Sequence, residues 1–198
     1  MKLIAFTGPR GSGKNTAAEN LGASLDATVA LLAFATPLYE GLSSIMGLCP
    51  IADSLEYLCE DRKFKEAPNA RLQGLSPRQG LQRLGDWVRE NLGQDYLIRA
   101  VEQRIAEIED SQFRTDLFAI TDLRTESEAA WVRQHNGLVI HMIRGDLDIS
   151  PSSTHSTEQR VAFHESDAAL FNNGSPDELR ISAANLVLHW LGLPKVAA

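Results

Sequence analysis

Short apolar runs alternate with stretches of helical periodicity along the chain. The runs are four to seven residues long, a length typical of strands buried on both faces. Strands of this kind with helices between them predict a parallel sheet covered by helices, which is the α/β class. The five predicted strands are Leu3–Phe6, Thr28–Phe34, Leu117–Thr121, Leu138–Ile143 and Ala168–Phe171.

Capping signals mark where several predicted helices begin. Ser76 and Ser175 each precede a proline and have Gln or Glu three residues later, the pattern of a capping box. Residues 50–75 show no clear period. The predicted helices cover residues 16–25, 36 onward, 77 to about 91, 95–109, 126–135 and 176 to about 191. We expect the tryptophans of these helices, Trp87, Trp131 and Trp190, in the core, and His141 as a hydrogen-bonded histidine of a strand.

Composition narrows the class of protein. The 198 residues suit one domain, or one core that carries a small insertion, and 26 acidic against 19 basic residues give a net charge of −7. We therefore expect no long nucleic acid and no membrane among its partners, while a homodimer stays open. Cys49 and Cys59 lack metal-site spacing. The first apolar run ends at Thr7-Gly8 without a cleavage site, so we expect a cytoplasmic, reduced protein.

The strongest motif directly follows the first predicted strand. It reads Gly8-Pro9-Arg10-Gly11-Ser12-Gly13-Lys14, in which two glycines bracket four residues before a lysine, as in a phosphate-binding P-loop. Glycines let successive N–H groups point into one concavity, and the lysine adds a mobile positive charge. A glycine-rich turn with an incidental lysine is the alternative. We predict that nucleotide phosphates bind to Gly11, Ser12, Gly13, Lys14, Asn15 and Thr16, with Lys14 also acting in catalysis.

The residue after Lys14 departs from that motif. A Ser or Thr hydroxyl is expected there as a Mg²⁺ ligand, whereas this chain has Asn15 and then Thr16. Either Thr16 or water must complete the metal shell. Adenylate kinases and other small-molecule kinases also place a non-hydroxyl residue between Lys and Thr, so the departure favours that group. The chain also lacks the Asn-Lys-x-Asp motif and the Asp-x-x-Gly switch of GTPases.

An acidic residue ends the third predicted strand. Asp122 follows the apolar run and Arg124 comes two residues later. An Asp at the carboxyl end of a central strand lies over the phosphate loop, where it can hold Mg²⁺ directly or through water. The alternative is an Asp that only caps the next helix. We expect Asp122 and Thr16 at the metal, and Arg124 at the transferred group.

The helix after Ser76 carries a second candidate site. At 100° per residue, Arg78, Gln82, Gly85 and Arg89 share one stripe beside the apolar one. Two arginines and a glutamine around a glycine notch could receive a phosphate and a base edge. A solvated arginine-rich face with a packing glycine is equally compatible with the periodicity.

A polar stretch follows the fourth predicted strand. It contains Arg144, Asp146, His155, Thr157, Glu158 and Arg160. Such a loop in a kinase could be a lid that excludes water, although a plain surface loop fits the composition as well.

Four blocks, in this order, resemble the deoxynucleoside monophosphate kinases of bacteriophages and their prophage relatives. They are Phe34-Ala35-x-Pro37-Leu38, Ser76-Pro77-Arg78-x-x-Leu81-Gln82-x-Leu84-Gly85, Thr121-Asp122-x-Arg124-x-x-x-Glu128 and His155-x-Thr157-Glu158. Asn172-Asn173-Gly174-Ser175 before the last helix also fits. The chain departs at Asn15, where relatives commonly carry an acid, and at Thr157, where they often carry Ser.

The resemblance implies phosphoryl transfer from ATP, with Mg²⁺, to a deoxynucleoside monophosphate. Together with the motifs it predicts one P-loop kinase domain, with a central parallel five-stranded sheet flanked by helices. The core would comprise residues 1–36 and 111–198, with a helical acceptor-binding insertion at about 37–110 and a lid at about 145–165. We expect Arg78, Gln82 and Arg89 at the acceptor, and Arg124 and Arg144 at the transferred phosphoryl group.

Two other functions remain compatible with the residues. One is a P-loop kinase of another small metabolite, such as dephospho-coenzyme A. The other is a regulatory module that binds nucleotide without catalysis.

Overall fold

The computed structural model describes residues 1–48, 55–145 and 161–195, without the side chains of residues 56 and 57. These residues form two compact units. The first comprises Met1–Ala33 and Gln103–Ala198, and the second comprises Phe34–Glu102.

The first unit is built on a five-stranded parallel sheet in the order β2-β3-β1-β4-β5. The predicted α/β class and parallel sheet are therefore confirmed. The strands are β1 (Leu3–Thr7), β2 (Val29–Leu32), β3 (Leu117–Leu123), β4 (Leu138–Ile143) and β5 (Ala168–Phe171). Because all strands run the same way, the chain leaves each of them at one common edge. That edge carries the loop between β1 and α1, Gly8–Gly13, which we call the glycine loop, with the ends of β3 and β4 on either side of it.

Helices α1 (Lys14–Ala18), α2 (Leu21–Leu25), α8 (Glu126–Gln134) and α9 (Pro176–Trp190) flank the sheet. The core between the sheet and α1, α2 and α9 is apolar, with Ile4, Phe6, Ile140 and Val187 each 0% exposed. Burying such side chains stabilises the fold by about 1.5–3 kcal/mol each. By packing these helices against the sheet, this core holds in place the sheet edge on which the glycine loop lies.

The predicted helix over 16–25 is wrong as one element. The chain breaks between α1 and α2, where Asn20 takes a left-handed conformation with φ 59°. The Glu19 carboxylate accepts a hydrogen bond of 2.8 Å from Arg180 on α9. Asn tolerates the left-handed region better than most residues, which permits this break.

The second unit is helical. It contains α3 (Thr36–Met46), α4 (Leu55–Leu58), α5 (Arg62–Glu66), a 3₁₀ turn (Ala70–Leu72), α6 (Pro77–Asn91) and the first half of α7 (Tyr96–Glu109). Helix α6 begins with the predicted capping box, since Ser76 Oγ accepts from Gln79 N and Gln79 Oε1 accepts from Ser76 N. The second unit has a small core of its own, which includes Leu42, Met46, Leu55 and Leu72.

A buried carboxylate ties β4, α8 and the segment before β5 together. Asp167 accepts from Arg133 Nε at 3.0 Å and Nη2 at 2.6 Å, from the His164 backbone N–H at 2.9 Å, and lies 2.9 Å from His141 Nε2. Burial alone would raise the pKa of Asp167, but these hydrogen bonds outweigh it and hold the pKa below its ordinary value. His141 is thus hydrogen-bonded, as expected from the sequence.

Candidate active site

The glycine loop lies between the end of β1 and the start of α1. Gly8, Gly11 and Gly13 all have positive φ, of 141°, 77° and 94°, which L side chains rarely adopt. A Cβ on Gly8 would also come within 2.8 Å of the Met142 carbonyl oxygen. The strand–loop–helix context that the motif requires is therefore present.

The loop contains a buried hydroxyl that has no hydrogen-bond partner among the described residues. Ser12 is 0% exposed, and its Oγ makes no hydrogen bond within the described part of the chain. Because α1 begins at Lys14, the N–H groups of its first turn lack intrahelical acceptors as well. Buried donors normally find partners, so the loop has unused capacity for an oxygen-rich ligand.

Lys14 extends back along the loop. Its Nζ donates to the Gly8 carbonyl at 2.8 Å and to the Pro9 carbonyl at 3.0 Å. The pKa of Lys14 is lowered to about 8, mainly by burial and further by the positive charge of Arg124, while the negative charge of Asp122 opposes the shift. Asp122 and Arg124 are thus both close enough to act on Lys14 electrostatically.

Asp122 lies inside β3, which extends two residues beyond the predicted end at Thr121. Its neighbour Leu123 pairs with Thr7, the last residue of β1. The strand register therefore brings Asp122 to the sheet edge next to the glycine loop, as the sequence predicted. Helix α1, which contains Thr16, packs against β3.

Glu128 fixes the turn that follows β3. Its buried Oε2 accepts from the backbone N–H groups of Arg124 at 2.8 Å and Thr125 at 2.9 Å. Thr125 Oγ1 in turn accepts from Glu128 N, which completes a capping box. This reciprocal cap positions the Arg124 backbone. The spacing Asp122-x-Arg124-x-x-x-Glu128 in the sequence carries the signal for it.

Two side chains from the ends of β4 and β5 donate to loop carbonyls. Arg144 Nη1 lies 3.3 Å from the Gly11 oxygen, and Asn172 Nδ2 lies 3.0 Å from the Ser12 oxygen. Arg144 was predicted at this site. The sequence predicts no role for Asn172, because no local signal indicates a contact across 160 positions.

The second candidate site lies on α6, in the second unit. Arg78 Nε donates to Glu66 Oε1 at 2.9 Å, and Arg89 Nη1 is 3.9 Å from Asp86 Oδ1. Gln82 is half-buried on the same stripe. The predicted side chains are therefore on one helix face, and Arg78 and Arg89 each have an acidic neighbour.

The glycine on that stripe is a packing residue. A Cβ on Gly85 would lie 3.3 Å from Leu38 Cδ1 on α3 and 3.3 Å from Arg89 Nη1. The expected open notch for a ligand is therefore not present at Gly85 itself.

Trp87, expected in the core, is 53% exposed, whereas Trp131 is 6% exposed. The apolar stripe of α6 instead buries Val88.

Several predicted residues lie outside the described residues. These are Cys49, Asp146, His155, Thr157, Glu158 and Arg160. The predicted lid at about 145–165 falls largely in the same gap and stays a prediction. No helix in the described ranges is long and apolar enough to span a membrane.

The glycine loop, Lys14 and the strand-end Asp122 on a parallel sheet define a P-loop nucleotide-binding enzyme. The comparison with family models identifies it more closely. Residues 51–182 match the model of deoxynucleotide monophosphate kinases. The chain belongs to this family and is a phosphotransferase, which confirms the predicted resemblance and function. No curated protein is significantly similar to the chain.

Two solved structures have a distant likeness to the chain. An unliganded sugar kinase from Janibacter sp. HTCC2649 has 13% identity and a TM-score of 0.41, over 97% of this chain and 94% of that one. The APS kinase CysC of Mycobacterium tuberculosis, in a Cys556Ala mutant, has 17% identity and a TM-score of 0.45, with 96% of each chain covered.

Proposed function

We propose that this kinase transfers the γ-phosphoryl group of ATP to a deoxynucleoside monophosphate, and that Gly11–Thr16 hold the ATP phosphates. The single observation that carries the proposal is Lys14. It is half-buried on a loop of left-handed glycines, within electrostatic reach of Asp122 and Arg124. A lysine whose charge is disfavoured by burial gains most from an anionic ligand.

The residues present also fit a bound Mg²⁺. Mg²⁺ is commonly held by one or two carboxylates together with substrate phosphates and water. Asp122 supplies one carboxylate at the sheet edge, and the described residues contain no group of three or more His, Cys, Asp or Glu that would form a separate protein cage. We assign Asp122 and the Thr16 hydroxyl to the metal. The ion, when bound, neutralises charge on the β and γ phosphates.

The chain's own residues then act by position and charge. An oxygen of the acceptor phosphate attacks the γ-phosphorus, and the bond to the bridging oxygen of ADP breaks. Arg124, Arg144 and Lys14 would offset the charge spread over the transferred group. The acceptor is itself an anion, so its oxygen needs no strong general base.

We assign the acceptor to α6. Arg78 and Gln82 are four residues apart and thus neighbours on one face. The guanidinium groups of Arg78 and Arg89 can each donate two hydrogen bonds to a phosphate, and Gln82 can both donate and accept at a base edge. The family match supports a deoxynucleotide as the ligand.

We predict that Arg78→Ala weakens the binding of a deoxynucleoside monophosphate by about tenfold or more, because a charge-assisted hydrogen bond contributes about 1.5–3 kcal/mol. ATP affinity should change less than twofold. Isothermal titration with each ligand measures both effects. Arg83→Ala, an exposed arginine on the same helix, is the matched control.

Glu66→Gln separates ligand binding from the ion pair. Arg78 and Glu66 form a partly exposed salt bridge, and such pairs contribute at most about 1 kcal/mol. If Arg78 binds the acceptor, removing the Glu66 charge should leave acceptor affinity unchanged or higher. A Glu66→Gln variant that loses acceptor affinity as Arg78→Ala does would refute the assignment.

The lowered pKa of Lys14 predicts a pH dependence of ATP binding. With a pKa of about 8 in the free enzyme, Lys14 is mostly charged at pH 7 and mostly neutral at pH 9. Since phosphates bind the charged form, ATP affinity should fall about tenfold between these pH values. Titrations at several pH values should show this fall in the wild type and a flatter profile in Lys14→Met. Equal slopes in both proteins would contradict the prediction.

A further inference from the structure

The side chain of Asn172 connects the end of β5 to the glycine loop. The Asn172 backbone N–H donates to the Ile143 oxygen at 2.7 Å, which holds the residue beside the end of β4. From there its Nδ2 donates to the Ser12 carbonyl oxygen at 3.0 Å. The Asn172 side chain, held at the sheet edge, thus contacts the backbone carbonyl that lies between Gly11 and Gly13 in the loop.

Gly13 allows this close approach. A Cβ at Gly13 would lie 2.6 Å from Asn172 Nδ2 and 2.9 Å from Leu179 Cδ2. Both distances are too short for a real side chain. The glycine is therefore required by the Asn172 contact as well as by its own φ of 94°. Asn172 and Gly13 form one closely packed unit on the loop.

Through the peptide between Ser12 and Gly13, this contact sets the direction of the Gly13 N–H. In a trans peptide the C=O and the N–H point in opposite directions. A hydrogen bond that holds the Ser12 oxygen toward Asn172 thus turns the Gly13 N–H away from Asn172. Peptides beside glycines rotate easily, so without the bond this N–H would have no fixed direction.

We propose that Asn172 is a positioning residue that fixes the Ser12–Gly13 peptide. The Gly13 N–H then already points toward the position of an ATP phosphate before ATP binds. The inference rests on the proposed binding of ATP phosphates by this loop. Preorganised donors cost no reorganisation when the ligand binds or when charge develops. In this role Asn172 acts through its hydrogen bond to the loop and not on a reacting atom.

The test uses Asn172→Leu, which keeps the branched shape and removes the donor. The affinity for ATP should fall roughly tenfold, the scale of one ordered hydrogen bond. The affinity for inorganic tripolyphosphate, measured by competition with ATP, should fall by the same factor because this probe has phosphates and no base. The affinity for the deoxynucleoside monophosphate should stay within twofold. Asn173→Leu, at the exposed neighbouring position, is the matched control.

A thermal melt of each variant shows whether it is folded, and Asn172→Ala replaces the leucine variant if the latter does not fold. Wild-type ATP affinity in either variant would overturn the inference. So would a loss for ATP without a loss for tripolyphosphate, because Asn172 would then act on the nucleoside. Lys14→Met is titrated alongside. If it binds ATP and tripolyphosphate as the wild type does, the proposed phosphate site fails, whatever Asn172 does.

Discussion

Replacing Lys14 with Met is expected to lower the turnover of phosphoryl transfer by at least about a hundredfold, the scale of two lost charge-assisted hydrogen bonds. Met keeps the unbranched stem of this half-buried side chain and removes the charge beside Asp122 and Arg124. The fold should persist, because the substitution removes an internally disfavoured charge. Steady-state rates with saturating acceptor measure the effect, and a thermal melt checks the fold.

Lys2→Met is the matched control. Lys2 is an exposed lysine just before β1, at the opposite edge of the sheet from the glycine loop. The same change of charge and size there should leave turnover within twofold. Near-normal turnover in Lys14→Met would remove the basis for assigning the loop to ATP phosphates.

Asp122→Asn should be the second most damaging change. Asn has the same shape and no charge, so the metal would lose its only carboxylate in our assignment. We expect turnover to fall about tenfold to a hundredfold at fixed Mg²⁺, in keeping with the loss of a group close to a metal. The Mg²⁺ concentration for half-maximal rate should rise.

A Mg²⁺ titration of rate measures both quantities. Asp110→Asn, an exposed carboxylate of the same unit, controls for the change in net charge. A variant at position 122 that loses turnover with an unchanged Mg²⁺ requirement would move Asp122 away from the metal. In that case its role would be to hold Lys14 or Arg124.

The elements that the sequence predicted well are those with local signals. Helix α6 begins and ends as predicted, because its capping box and proline are contiguous residues that satisfy the first-turn donors themselves. Strands β4 and β5 match their predicted bounds for a similar reason, since short apolar runs are bounded by polar residues. The glycine loop was predicted from one contiguous motif.

The features that the sequence did not reveal depend on distant residues. The break between α1 and α2 accompanies a salt bridge between Glu19 and Arg180, and the hydrogen bond from Asn172 to Ser12 joins residues 160 positions apart in the chain. Gly85 was ambiguous because periodicity places a residue on a face without showing which partner, here Leu38, covers it. Such contacts can be recognised only once the tertiary arrangement is known, in which β5 lies beside β4 and β4 lies beside β1.

The most direct test of the proposed function is phosphoryl transfer from ATP labelled at the γ-phosphate to a panel of acceptors. The panel contains the four deoxynucleoside monophosphates, their ribose counterparts and dephospho-coenzyme A, each with and without Mg²⁺. A deoxynucleoside monophosphate kinase should place label in at least one deoxynucleoside diphosphate, and this label should depend on Mg²⁺ and be absent in Lys14→Met. Label transferred only to dephospho-coenzyme A, or released only as inorganic phosphate, would refute the proposed function.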